Sequence, residues 1–214
     1  MKHFTITKYP VIIIANRRSG STALASSIAQ ENKLQYYDEP MMVPWDKPNS
    51  KRIQRWHEYY KSLNNQFVLK IIADVLTLDS SFLEIFNNEN TFKIKLNRRN
   101  KIEQLASYYV SSITNVWHHV LTKDAENVKS KYIGDINDYK IPYNVAAMKM
   151  CAKQLFYVDG LLEKLSNSLF NIVCDYEELE FNDNSSYVKI LPPSNIQSIK
   201  ELARITIKNL GMQQ

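Results

Sequence analysis

The sequence predicts an α/β fold of three layers, a central and mostly parallel β-sheet flanked by helices. Three observations carry that expectation. Strand-like and helix-like segments alternate from end to end of the 214 residues, the pattern of parallel strands joined by right-handed crossovers. The first apolar run, Val11 to Ala15, is continuous and branched, as in a strand covered on both faces. A dense polar segment, "NRRSGST", follows it directly, and parallel sheets bind ligands at the carboxyl ends of their strands.

The elements follow in order. Ser21 to Gln30 reads as a helix, with Leu24 and Ile28 four apart and alanines keeping it slim. Leu34 to Tyr37 suits a second short strand, and "EPMMVPWDKP" then reads as a loop because of its prolines. Lys51 to Leu63 has an amphipathic helical pattern, Gln66 to Ile72 is a strand candidate, and "SSFLEIF" is a short helix. Thr91 to Asn97 alternates as a strand and runs into "RRN". The clearest helix begins at Ile102, where Leu105, Ala106, Tyr109, Ile113, Val116, Trp117 and Val120 share one apolar face. Gln104, Ser107, Ser111, Thr114 and His118 form a separate polar stripe on it. Tyr143 to Leu165 is another long helix, "SLFNIVCDY" a late strand, and Asn195 to Leu210 a terminal amphipathic helix. One domain over residues 1–214 is expected, with residues 124–141 as a lid or connector.

Composition narrows the function classes. The chain is 44% hydrophobic and 23% charged, ordinary for a folded domain. The net charge of +5 is a mild bias that suits an anionic ligand. The basic residues are dispersed, which argues against nucleic acid. No apolar stretch approaches the length of a membrane span, and the N-terminus does not read as a signal peptide. Cys151 and Cys174 form no C-x-x-C pair, so neither a disulfide framework nor a zinc site is expected, and a reducing, cytoplasmic setting fits.

The segment Arg17 to Thr22 has the chemistry of an anion cradle. A strand that turns tightly into a helix exposes backbone N–H groups at the positive end of the helix dipole. Gly20 lets the backbone approach an anion closely, Ser21 and Thr22 add hydroxyls, and Arg18 adds a permanent planar charge, with Ser19 between Arg18 and Gly20 as part of the same loop. A polar turn with a serine cap would look similar in isolation. The nucleoside-triphosphate pattern G-x-x-x-x-G-K-[ST] is absent, since no lysine follows Gly20.

"RRSGST" after an apolar strand resembles the 5′-phosphosulfate loop of sulfotransferases that use 3′-phosphoadenosine 5′-phosphosulfate (PAPS). Arg17 stands where that family usually has proline, and Ala15 where glycine is frequent. "RRNKIEQLAS" resembles the family's 3′-phosphate segment, with Arg99 at a strand end and Ser107 eight residues on. "NIVCDYEELE" resembles its late strand followed by a Tyr-Glu turn, with Tyr176 and Glu177 in matching positions. "VLKI" (Val68 to Ile71) is faintly similar to a mid-domain strand. The resemblance spans Val11 to Leu179 in the family's order and is closest in motif style to bacterial-type members.

The resemblance implies sulfuryl transfer from PAPS to an acceptor hydroxyl or amine by in-line displacement, with no metal. Arg17 to Thr22, Arg99, Ser107 and Tyr176 would hold the nucleotide, with Tyr176 near the adenine. Arg18 would stabilise charge on the departing phosphate. Glu39 is the expected base, with Asp38 or His118 as substitutes. The acceptor stays open among small molecules, carbohydrates and lipids. Two other readings remain: a non-catalytic nucleotide- or anion-binding protein on the same scaffold, and a P-loop kinase-like phosphotransferase.

Overall fold

Branched residues from Val11 to Ile14 make β1 a strand that cannot face water, and all of Val11–Ala15 is fully buried. The fold is seen in a computed structural model that describes residues 6–38, 58, 63–64, 66–74, 88–114, 140–179 and 193–212. β2 (Gln35–Asp38), β3 (Phe67–Ile72), β4 (Phe92–Asn97) and β5 (Ile172–Asp175) join β1 in one sheet. The order is β2-β3-β1-β4-β5 and every pairing is parallel. β1 is therefore central, with Ile13 opposite Lys70 of β3 on one side and Ile94 of β4 on the other.

The chain divides into two compact units: Met1–Asn97 with Val158–Asn182, and Arg98–Tyr157 with Asp183–Gln214. The first is a three-layer α/β/α unit. Period-two alternation sends Val11, Ile13 and Ala15 to one face, where they pack on Leu24, Ala25 and Ile28 of α1 (Ser21–Asn32). Ile12 and Ile14 go to the other face with Phe67, Leu69 and Ile71. There they meet Val158 and Leu162, near the C-terminal end of α3 (Val145–Lys164). Burial on both faces explains why β1 reads as a continuous apolar run.

β4 carries lysines in an apolar strand, and Lys95 has a structural use. Its ammonium donates to the backbone oxygen of Leu165 (3.2 Å) and to Asn167 Oδ1 (3.0 Å), just past the end of α3. A cation at that terminus satisfies orphan carbonyls and opposes the helix dipole. Burial lowers the Lys95 pKa, and the nearby Glu163 carboxylate works against that shift.

The second unit is helical among the described residues. α2 (Lys101–Thr114) packs with α4 (Ile196–Asn209) and the first part of α3, burying Leu105, Tyr109, Met148, Leu155, Leu202 and Ile207. Asn195 braces the segment before α3, accepting from Ile141 N (3.1 Å) and donating to Ile141 O (2.8 Å). The polar stripe expected on α2 is only partly a surface: Gln104 and Ser111 are buried, and the Thr114 hydroxyl donates back to Val110 O. His118 and the lid candidate, apart from residues 140 and 141, lie outside the described residues, as do the expected helices at 51–63, apart from Glu58 and Leu63, and at "SSFLEIF".

Burial pushes the Cys151 thiol above its ordinary 9.0, with the Ser112 hydroxyl opposing, and pushes Tyr109 above 10.0. The folded state therefore holds these protons more tightly than the unfolded chain. Their contribution is complete below about pH 9 and is lost as pH rises through the raised values. Lys93 and Lys95, both lowered by burial, act in the opposite sense, so the informative quantity is a difference between variants. Urea midpoints of Cys151→Ala and wild type, followed from pH 8 to 10.5, are expected to converge above about pH 9 as wild type loses its thiol advantage. A constant difference across that range contradicts the assignment.

Candidate anion site at the end of the central strand

Asn16 to Gly20 links β1 to α1 at the carboxyl end of the central strand, with Asn16 and Ser19 almost fully buried. The backbone alternates in hand: Arg18 is left-handed (φ 56°), and so is Gly20 (φ 82°), whereas Ser19 and the helical Ser21 are not. Successive backbone N–H groups in turns that include left-handed residues are a known basis of concave anion nests. For Arg18 the left-handed state costs about 1–2 kcal/mol, so its surroundings must enforce it.

α1 begins directly from this nest. Gly20 is its N-cap and offers no side-chain bond to the first turn, which also lacks any acidic residue. The first-turn N–H groups and the positive dipole end are thus left to an external acceptor. The Ser19 hydroxyl is buried and has no hydrogen-bond partner among the described residues. An orphaned buried hydroxyl beside converging N–H groups suits a tetrahedral oxyanion.

Lys70 supplies a cation that the sequence reading missed. It is 2% exposed, and its ammonium donates to Thr22 Oγ1 at 2.7 Å, at the start of α1. The signal was present: a lysine inside the apolar strand "FVLKII" is anomalous where both faces are covered. Lys95 shows why that signal is ambiguous, since an equally anomalous lysine serves a helix end. Location decides: Lys70 reaches the start of α1, and Lys95 the end of α3.

Tyr176 opens the short turn after β5, Tyr176–Glu178. Its ring lies against Gly20 so closely that a Cβ built on Gly20 would overlap ring atoms Cδ2 and Cε2. Gly20 is therefore required twice, for its left-handed φ and for the ring beside it. The expectation set Tyr176 near a base; its described contact is with the anion loop.

Arg17, expected among the anion ligands, is instead ion-paired through its guanidinium with Asp74, just beyond β3. Neighbouring Asn16 donates from Nδ2 to Asp159 Oδ1 (2.9 Å) and accepts from Arg17 N (2.7 Å). Arg99 follows β4 and is exposed, and Ser107 is half-buried on α2; both belong to the second unit. Asp38 ends β2 opposite Lys70. Glu39 and His118 lie outside the described residues. Among the described residues, no cluster of three or more His, Cys, Asp or Glu could hold a metal ion, and no helix is long and apolar enough to cross a membrane.

No protein-family model matches the chain, and no curated protein matches it. A solved structure described as an uncharacterized protein from Eubacterium ventriosum ATCC 27560 is similar at 10% identity and a TM-score of 0.37, covering 95% of this chain and 99% of that one.

Proposed function

We propose that the protein is a PAPS-dependent sulfotransferase that moves a sulfuryl group to a hydroxyl or amine acceptor. The observation that carries this reading is the pair of left-handed residues Arg18 and Gly20 on either side of the buried Ser19, opening into a helix whose N-cap has no side-chain bond to the first turn. It supports an anion, and the resemblance of three separated segments to one family specifies which anion. PAPS supplies the activated sulfuryl group and a phosphate leaving group. The loop N–H groups and the hydroxyls of Ser19, Ser21 and Thr22 bind and orient its 5′ end. Arg18 and Lys70 carry the positive charge that offsets charge growing on the leaving phosphate, a contribution that is largest where donors are held in place beforehand. Tyr176 fixes Gly20 and offers an aromatic edge to the nucleotide. Arg99 and Ser107 take the 3′-phosphate. Glu39 accepts the acceptor's proton, with Asp38 and His118 as the other groups suited to that step. The acceptor is a small molecule, carbohydrate or lipid, and the setting is cytoplasmic.

A P-loop kinase-like phosphotransferase is favoured by one observation, the Lys70 ammonium at Thr22, which brings to α1 a charge the loop itself lacks. One thermal-shift series separates the readings, because at equal concentration a ligand that binds the native state more tightly raises Tm further. Adenosine 3′,5′-bisphosphate is expected to raise Tm well beyond AMP, and Arg99→Ala to erase that difference. Equal shifts for both nucleotides exclude PAPS. A larger shift with Mg²⁺ and ATP, with phosphoryl transfer, establishes the kinase-like reading. Binding of the bisphosphate without sulfate transfer to a broad acceptor panel indicates a non-catalytic protein.

A further inference from the structure

Two carboxylates flank the anion loop, an arrangement that by itself works against its purpose. Asp74 extends from the end of β3 and Asp159 from α3, and each meets one of the first two loop residues. An uncompensated carboxylate near an anion cradle repels the ligand by Coulomb interaction in a poorly screened site. Neither is idle. Asp74 pairs with the Arg17 guanidinium, both side chains being mostly buried. Asp159 accepts from the Asn16 amide, whose oxygen in turn holds the Arg17 N–H. The segment just before the strained Arg18 is thus fixed from two elements.

We infer that Arg17 and Asp74 are positioning residues: their ion pair, with Asn16–Asp159 behind it, holds the loop in the conformation, left-handed at Arg18 and Gly20, that presents its N–H groups. This rests on the anion-binding reading of the loop. It gives the first arginine of the pair "RR" a task of its own, in which Arg17 braces the loop from outside the nest. It also accounts for Arg17 at a position where the resembling loops carry proline. A proline restricts the backbone covalently; here a tertiary contact supplies the restriction. Strain at a non-glycine left-handed residue persists only where the surroundings over-determine it, and the ion pair is such a constraint.

The test uses the full chain and two probes, inorganic pyrophosphate for the cradle and adenosine 3′,5′-bisphosphate for the nucleotide, titrated calorimetrically well below Tm. Asp74→Asn and Arg17→Gln are each expected to weaken both probes about tenfold, the effect of losing roughly 1.4 kcal/mol. The exchanged pair Arg17→Asp with Asp74→Arg is expected to recover most of that loss. Hydrogen exchange at Arg18 to Ser21 is expected to quicken in the single variants while β1 stays protected, a local change that a global loss of stability does not produce. Should Arg17→Gln fail to fold, Arg17→Lys, which keeps the charge without the planar fork, is expected to fold and to bind pyrophosphate about threefold more weakly. Single variants that bind pyrophosphate like wild type overturn the inference. Tighter binding by Asp74→Asn also overturns it, since that means Asp74 withholds Arg17 from the ligand. Wild type that binds pyrophosphate but not the bisphosphate sinks the nucleotide reading alone, and the pyrophosphate data still decide the role of Arg17. Wild type that binds neither probe refutes both.

Discussion

Gly20→Ala is expected to abolish anion binding and to destabilise the first unit. Two independent penalties fall on the added methyl. The left-handed backbone (φ 82°) costs an L-residue about 1–2 kcal/mol, and the Tyr176 ring occupies the place where the Cβ would go. Either the ring swings away or the turn flattens, and both outcomes disperse the N–H groups of the nest. Pyrophosphate affinity should fall by two orders of magnitude or more, with a Tm several degrees lower. The double variant Gly20→Ala with Tyr176→Ala separates the penalties. Removing the ring should restore part of the stability but not the binding, because the φ penalty remains. Full recovery of binding would show that the ring, not the backbone, sets the loop.

Lys70→Met is expected to do the reverse, removing function while sparing the fold. A buried ammonium is costly to desolvate, and methionine keeps the length of the stem without the charge. Lys70 is 2% exposed between apolar neighbours, so methionine fits its place. The Tm should hold or rise. Anion affinity should fall roughly 10- to 100-fold, the worth of a hydrogen bond to a charged group. A lower Tm with unchanged pyrophosphate binding would assign Lys70 to the fold, as Lys95 is.

The two predictions concern neighbouring residues that were unequally legible. Gly20 could be picked out from the chain because it stands between arginines and hydroxyls in a protein with 4 glycines. Lys70 could not, because charge on a strand carries the same appearance whether it serves a helix end or a ligand. Arg17 has a partner the sequence did not show, for the opposite reason. Next to Arg18 it looked like a second ligand, and its commitment to Asp74 spans 57 residues of sequence. Local pattern has no access to a partner at that separation.

What the linear chain determined was the material of the fold. Branched apolar runs required strands buried on both faces, the 3.6-residue periodicity required helices between them, and their alternation required a parallel sheet. The strand boundaries at β1, β3 and β4 follow within a residue of the pattern, because burial acts on each residue separately. What only the tertiary structure decided was pairing: which strand lies beside β1, which lysine reaches α1, which carboxylate holds which loop residue. Those are long-range contacts, set by the order β2-β3-β1-β4-β5. The order matters because it places β3 against β1, and so carries both Lys70 and Asp74 to the loop that Gly20 and Arg18 shape.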